Sequence, residues 1–345
     1  MSKHKFKYKW NLSDGYPAEG IEKHGLKVFG TFICGGGSTM GYKLAGFNHL
    51  GGVEIDPQVA DVYKTNHDPK YLFVEDIREF ANRTEFPEEL YNLDILDGSP
   101  PCSSFSMAGN REKDWGKEKV FREGQAKQRL DDLFFDYIKL AKKLQPKVVI
   151  AENVKGMLQG NAKSYVKKIK TEFEEAGYKV QLFLLNAASM GVPQKRERVF
   201  FICQRNDLNY KSLKLSFDEK PILFGECRGE KGNFNAVTER QQKLLNLLKN
   251  EKTLEQIEKN NFGKGSGFTD NIVFDTDVTP TIISGGKQFR AFDKSWFSDY
   301  DFKICGSYPL DYNFKKIEPK YLIGMSVPPV MTAQIAHEIY LQWLK

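Results

Sequence analysis

The sequence lacks any apolar run approaching the roughly 20 residues that a membrane-spanning helix needs. Its amino terminus, MSKHKFKYKW, alternates lysine with aromatic residues and has none of the apolar core of a signal peptide. A cytoplasmic protein is expected, with no membrane partner. Cysteine is scarce: the five residues Cys34, Cys102, Cys203, Cys227 and Cys305 are odd in number and widely scattered over 345 positions. They suit a reducing compartment and offer no zinc spacing, so no metal site is expected. Internal repeats and low-complexity segments are also missing. With 40% hydrophobic and 28% charged residues the chain has the composition of an ordinary globular protein, long enough for about two domains. A net charge of +6 leans toward a polyanionic partner. Lys3, Lys5, Lys7 and Lys9, interleaved with Phe6, Tyr8 and Trp10, are expected to form a solvated tail whose aromatics pack locally; contact with phosphates is the alternative.

What is present centres on residues 97–106, DGSPPCSSFS. The run Leu93-Asp94-Ile95-Leu96 reads as a buried strand, and Gly98, Pro100 and Pro101 stop it. Cys102 therefore stands just past a strand's carboxyl end, where open α/β sheets place their ligands. A thiol there can be a nucleophile, and the competing reading is a buried structural cysteine.

The first organised unit opens with a strand, Val28–Ile33, a turn, Cys34-Gly35-Gly36-Gly37-Ser38, and a helix through Met40 and Leu44. Strand, glycine-rich turn and helix make a nucleotide-binding opening; a tight turn without a ligand is the plain alternative. The strand Gly51–Asp56 brings Glu54 and Asp56 to the place where a second strand meets a ribose, and Leu72–Glu75 delivers Asp76 and Ile77 to the next strand end. A charged loop spans Ala108 to about Gln128, read as mobile, and a helix follows from about Arg129 to Leu144. A strand, Val148–Ala151, leads to Glu152. Then come a helix over 162–176, a strand over 180–185, the loop 186–198 and a closing strand over 199–203. This alternation predicts a largely parallel sheet covered on both faces. Composition shifts near Arg205, where glycine-rich loops and irregular pieces begin, with one helix expected from Val237 to about Ile257. The chain ends in a predicted helix, Met331 to Leu344.

Two further groups stand out. Glu152 lies at a buried strand end beside Asn153, where a carboxyl can hold a proton at neutral pH, or can cap a helix or pair with a cation. In Gln194-Lys195-Arg196-Glu197-Arg198, alternate residues are expected to share one face, and inward-facing arginines need carbonyl or anionic partners; a solvated charge run is the alternative.

In this order Pro101-Cys102, Glu152-Asn153-Val154 and Gln194-x-Arg196-x-Arg198, with Phe32, Glu54, Asp76 and Gly324-x-Ser326-Val327 around them, resemble the cytosine-C5 DNA methyltransferase family. The resemblance runs from about Val28 to Leu344. It implies a doubly wound, Rossmann-like S-adenosylmethionine-dependent methyltransferase domain, 1–203 plus 297–345, and a smaller target-recognition domain, 204–296. It implies Cys102, Glu152, Arg196 and Arg198 as catalytic residues: Cys102 attacks C6 of a flipped-out cytosine, Glu152 holds N3 and the amine, Arg198 holds O2, and Arg196 helps position the site or a phosphate. Cofactor contacts are implied for Phe32 in the adenine pocket, Glu54 on the ribose hydroxyls and Asp76 on the adenine amine, and also for Ile33, Gly35, Gly36, Ile55, Ile77, Pro100 and Ser326. The partner implied is duplex DNA, in a bacterial or phage restriction-modification setting, with a monomeric enzyme and any cognate endonuclease acting separately. A tRNA cytosine-5 methyltransferase is the first alternative, although its Cys-Phe-Thr tripeptide is absent; a DNA-binding module of the same fold with little turnover is the second. The chain departs from the family pattern at Gly30, Cys34 and Met325, and the family's Arg and Glu pair before Tyr308-Pro309 is matched at best by Ser295 and Asp301.

Overall fold

A computed structural model describes residues 4–101, 133–160, 162–267 and 270–345; Cys102 and the 108–128 loop lie outside them. The chain divides into two compact units, the larger made of Tyr16–Asn186, Glu197–Ser216 and Ala333–Lys345, the other of Met1–Gly15, Ala187–Arg196 and Phe217–Thr332.

In the larger unit β1 (Lys27–Thr31), α1 (Gly37–Leu44), β2 (Asn48–Glu54), α2 (Pro57–His67), β3 (Tyr71–Val74) and α3 (Ile77–Asn82) follow one another. Next come β4 (Ile95–Gly98), α4 (Leu133–Leu144), β5 (Val148–Val154), α5 (Ala162–Glu175) and β6 (Tyr178–Asn186). The two-residue β7 (Gln194–Lys195) belongs to the other unit, and β8 (Glu197–Arg205) returns to the sheet. The strand order is β3-β2-β1-β4-β5-β8-β6. The first five strands pair in parallel, and β8 runs antiparallel to both β5 and β6. The order reverses between β1 and β4, which makes the carboxyl ends of those two strands the switch point of a doubly wound fold.

Local chemistry explains the elements. β4 and β5 open on apolar runs, Ile95-Leu96 and Val148-Val149-Ile150-Ala151, because both faces of a central strand are covered. Helix α2 begins where the Asp56 carboxylate accepts the Gln58 and Val59 amides and Pro57 supplies a preset φ. Asp76 caps α3 in the same way through Arg78 N–H. The buried stripe of α4, including Phe134, Tyr137 and Ala141, packs with Phe29, Leu96, Val149 and Phe201 of the sheet into one core. The Tyr137 hydroxyl sits 2.9 Å from Leu96 O and 2.8 Å from Ile150 O, so its single hydrogen is shared between neighbouring strands.

The smaller unit has only short strands among its described residues: Asn271–Val273 beside Gln288–Arg290, and β7 beside Thr279–Pro280. The single helix expected over Val237–Ile257 is two, Glu239–Leu245 and Leu254–Phe262. The break is polar. Glu251 accepts the amides of Lys249 and Asn250, and Thr253 caps the second helix through Gln256 N–H, so the chain is turned where a helix would have continued. Of the amino-terminal aromatics, Tyr8 packs locally against the His4 ring, whereas Phe6 and Trp10 are buried and Trp10 Nε1 donates to Ser307 O. The lysines between them point outward.

These units differ in extent from the domain boundaries expected from the sequence. Residues 297–332 and 187–196 group with the smaller unit, because Gln194 Nε2 donates to Cys305 O and Arg196 donates to Ile282 O and Gly324 O. Residues 204–216 stay with the sheet, where Leu213 and the Gln181 amide exchange two hydrogen bonds. The terminal helix runs Pro329–Ile339 and ends in a π-helical turn, Tyr340–Leu344.

Candidate active site

The turn after β1 is held in a left-handed path, with φ of 54° at Phe32, 48° at Cys34 and 76° at Gly36. Gly36 is where that path is least costly, and Cys34 carries the strain of a non-glycine residue there. The turn is tied to its neighbour strand. Ile33 N–H donates to Val53 O, and Cys34 N–H donates to Glu54 Oε2 at 2.9 Å. The other Glu54 oxygen accepts Asp56 N–H at 3.0 Å. Burial pushes the Glu54 carboxyl up, and these amides offset only part of that rise. Of the two acids at the end of β2, Asp56 is engaged as the cap of α2, and Glu54 holds the turn after β1.

Asp76, at the end of β3, gives one oxygen to Arg78 N–H and the other to the Arg78 guanidinium at 2.9 Å. Phe32 and Ile55 are half-buried and Ile77 is buried. Gly30, where the family carries an acid, has no room for one: an added Cβ would lie 2.7 Å from the Ile33 side chain.

At β4 and β5 the second half of the site is built. Asn153 Nδ2 donates to Pro100 O at 3.0 Å, while its Oδ1 accepts Val154 N–H, so the chain two residues before Cys102 is pinned to β5. Glu152 Oε1 and Arg198 Nε are 2.8 Å apart, with side chains 12% and 13% exposed. They meet because Val154 pairs with Arg198 across the β5–β8 ladder, which sets Glu152 diagonally opposite on the same face. Burial lowers the Arg198 pKa, and the Glu152 charge opposes that shift.

The expectation that Gln194, Arg196 and Arg198 share one face does not hold. The strand is interrupted between β7 and β8, so Arg198 sits on the large sheet while Gln194 and Arg196 are buried in the smaller unit. Both terminal nitrogens of Arg196 donate to backbone carbonyls, one of them Gly324 O in the final motif. Ser326 lies in that unit too, its hydroxyl accepting from Tyr308 and donating to Leu322 O.

Sequence reasoning missed three groups. Asn153 was passed over as a neighbour of Glu152. Asp97 is buried at the end of β4, accepting from the Tyr42 hydroxyl at 2.9 Å and from Ser38, and burial pushes its carboxyl up to about 7. Its only signal was an acid inside an apolar run. The third is Arg290, fully buried and 3.3 Å from the fully buried Asp301, so the arginine partner of Asp301 is not Ser295 but a residue five positions earlier.

A doubly wound sheet with a glycine turn after β1, an acid closing β2 and a sealed Glu–Arg pair on β5 and β8 defines a Rossmann-like enzyme core. The chain belongs to the C-5 cytosine-specific DNA methylase family, whose sequence profile matches residues 26–340. Among its relatives, the type II methyltransferase M.FnuDI of Fusobacterium nucleatum is 39% identical over 192 residues, 56% of this chain and 51% of that protein. The type II methyltransferase M1.HphI of Haemophilus parahaemolyticus is 27% identical over 334 residues, 91% of this chain and 86% of that protein. The chain thus spans about half the length of M.FnuDI and most of M1.HphI. A solved structure of Spodoptera frugiperda DNMT2 shares the fold, with a TM-score of 0.64, 16% identity, and coverage of 91% of this chain and 99% of that one. Among the described residues no helix is long and apolar enough to cross a membrane.

Proposed function

We propose that this protein is a DNA (cytosine-5)-methyltransferase that transfers a methyl group from S-adenosylmethionine to C5 of a cytosine flipped out of duplex DNA. The observation that carries this reading is the nearly sealed Glu152–Arg198 pair, beside an asparagine that anchors the approach to Cys102. A carboxyl and a guanidinium side by side match the edge of cytosine, which offers N3, an exocyclic amine and O2. In this reading the Cys102 thiolate forms a bond to C6, and the electron pair displaced from the C5–C6 double bond makes C5 nucleophilic. Glu152 gives a proton to N3 and accepts from the amine, and Arg198 donates to O2, so the charge that develops on the ring is neutralised where it arises. Once C5 carries the methyl group, the N3 proton returns to Glu152, a base removes the C5 proton, the double bond re-forms, and the electron pair of the S–C6 bond returns to sulfur.

S-adenosylmethionine, when bound, supplies an electrophilic methyl group. The residues at the ends of β1 to β3 fit it. Glu54 keeps acceptor capacity beyond its two amide bonds for ribose hydroxyls, Phe32, Ile55 and Ile77 offer apolar surface to an adenine, and Asp76 offers an acceptor to its amine. Ile33, Gly35, Gly36 and Pro100 contribute backbone. Arg196 and Ser326 we assign to bracing the final motif, since their polar atoms are engaged by Gly324, Tyr308 and Leu322.

Reading of the target sequence we assign to the smaller unit, and methyl transfer to the larger. The setting we infer is the cytoplasm of a bacterium or of a phage host, with a monomeric enzyme and any cognate endonuclease acting apart. The test is a duplex containing 5-fluorocytosine, whose C5 has no proton to lose. Wild type with S-adenosylmethionine should give a denaturation-resistant protein–DNA complex, and Cys102→Ala should give none while still binding the duplex. A Cys102→Ala protein that methylates ordinary DNA would sink the reading.

A further inference from the structure

The glycine turn is braced from a direction the proposed mechanism does not use. His67 is the last residue of α2, is 5% exposed, and reaches back beneath Gly35 and Gly36. Its Nε2 lies 3.2 Å from Gly35 O. A Cβ added at Gly36 would come within 2.2 Å of that same nitrogen, so the imidazole occupies the space a side chain at position 36 would need. The ring is packed on Tyr63, with centroids 4.5 Å apart, and its own carbonyl is held by Lys43 Nζ from α1 at 3.0 Å. Burial first, and the Lys43 charge second, push the imidazole down to about 3, so it is neutral at physiological pH. A carbonyl only accepts, which assigns the ring hydrogen to Nε2 and makes His67 the donor to Gly35 O.

We propose that His67 is a positioning residue for the cofactor: it props the Gly35-Gly36 backbone, with Gly36 left-handed, in the path that S-adenosylmethionine meets, and excludes any side chain at position 36. The proposal rests on the cofactor reading above. Gly35 directly follows Cys34, whose amide is tied to Glu54, so a shift of the turn moves the groups assigned to the ribose as well. A turn set before binding saves the ligand the cost of ordering it.

Titration calorimetry with S-adenosylmethionine tests this on wild type, Glu54→Ala, His67→Ala, Gly36→Ala and the double variant Gly36→Ala with His67→Gly. His67→Ala should weaken binding roughly tenfold, the scale of losing one buried hydrogen bond. Steady-state kinetics should show a raised KM for the cofactor with KM for duplex DNA within about twofold. Gly36→Ala should weaken binding further, and shrinking His67 should recover part of that loss by removing the clash. If His67→Ala does not fold, His67→Asn, whose amide can still donate without the ring, and the Gly36 pair carry the test. The proposal is overturned if His67→Ala binds like wild type while Glu54→Ala is weakened, or if the double variant binds no more tightly than Gly36→Ala. A wild type that does not bind S-adenosylmethionine removes the cofactor reading itself, and this proposal with it.

Discussion

In the larger unit seven strands share one sheet with an apolar core packed against it; in the smaller unit the longest described strands have three residues, and polar groups do what the sheet does elsewhere. There Leu244, Leu245, Ile257, Ile272 and Phe289 make a modest core. Around it Arg290 is fully buried, donating to Gly229 O and Glu230 O and pairing with Asp301, whose carboxylate also accepts Ser298 and Gly229 amides. The difference teaches where each unit is vulnerable. Apolar burial is spread over many side chains and degrades gradually, whereas a buried ion pair fails at once when one partner is removed.

The largest expected effect follows from that contrast. Arg290→Ala leaves Asp301 a fully buried carboxylate without its arginine, which should cost the smaller unit about 3–5 kcal/mol. Hydrogen exchange read peptide by peptide should show lost protection over 217–332 with the β1 and β5 strands unchanged. Equal loss in both units would erase the distinction drawn between them.

The larger unit has its own buried acid, and its effect depends on pH. Unfolded, Asp97 releases its proton near 3.8; folded, it keeps it up to about 7. Between those values the folded chain binds more protons, so the contribution to stability is fully present below pH 3.8 and is lost as pH rises toward 7. Asp97→Asn has no such proton, so wild type should fall relative to it by on the order of 3 kcal/mol between pH 4 and 8. Urea unfolding at several pH values checks this, and a difference between the two proteins that is flat with pH would refute the buried-proton account.

Smaller effects separate the two acids at the strand ends. Glu54→Ala should weaken S-adenosylmethionine binding by roughly 1–3 kcal/mol, because a sealed polar contact loses its acceptor. Asp76 is more open and already shares its charge with Arg78, so Asp76→Ala should cost less, about 0.5–1 kcal/mol. A larger loss at Asp76 than at Glu54 would reverse the ranking that burial implies. Least of all, Lys243→Ala breaks an i,i+4 pair with Glu239 whose side chains are 74% and 83% exposed, and should leave the melting temperature unchanged. A clear drop would mean that surface charge, and not only Arg290, holds the smaller unit.

Much of the larger unit was legible in the sequence. Val28-Phe29, Ile95-Leu96 and Val148-Val149-Ile150 announce central strands because a strand covered on both faces must be apolar throughout, and glycine, proline or acid at their ends marks where each stops. Glu54, Asp76 and Glu152 were legible for the same reason, since each closes such a run. The smaller unit was not, because its short strands carry too few residues to show a period, and the polar turn at Glu251 interrupts a helical pattern that otherwise continues from Val237.

The sequence by itself determined the alternation of strands and helices in the larger unit, the strand ends that form the candidate site, and the order of motifs that marks the family, because these depend on local hydrophobicity, chain-breaking residues and residue identity. Only the tertiary structure decided which polar groups meet. Glu152 finds Arg198 across an antiparallel ladder, Asp301 finds Arg290 and not Ser295, Arg196 turns to Gly324, and His67 reaches Gly35 from the end of another helix. Such pairings join positions distant in the chain, and no local pattern encodes them; buried donors and acceptors must be satisfied, but the partner that satisfies them is chosen by how the whole unit packs.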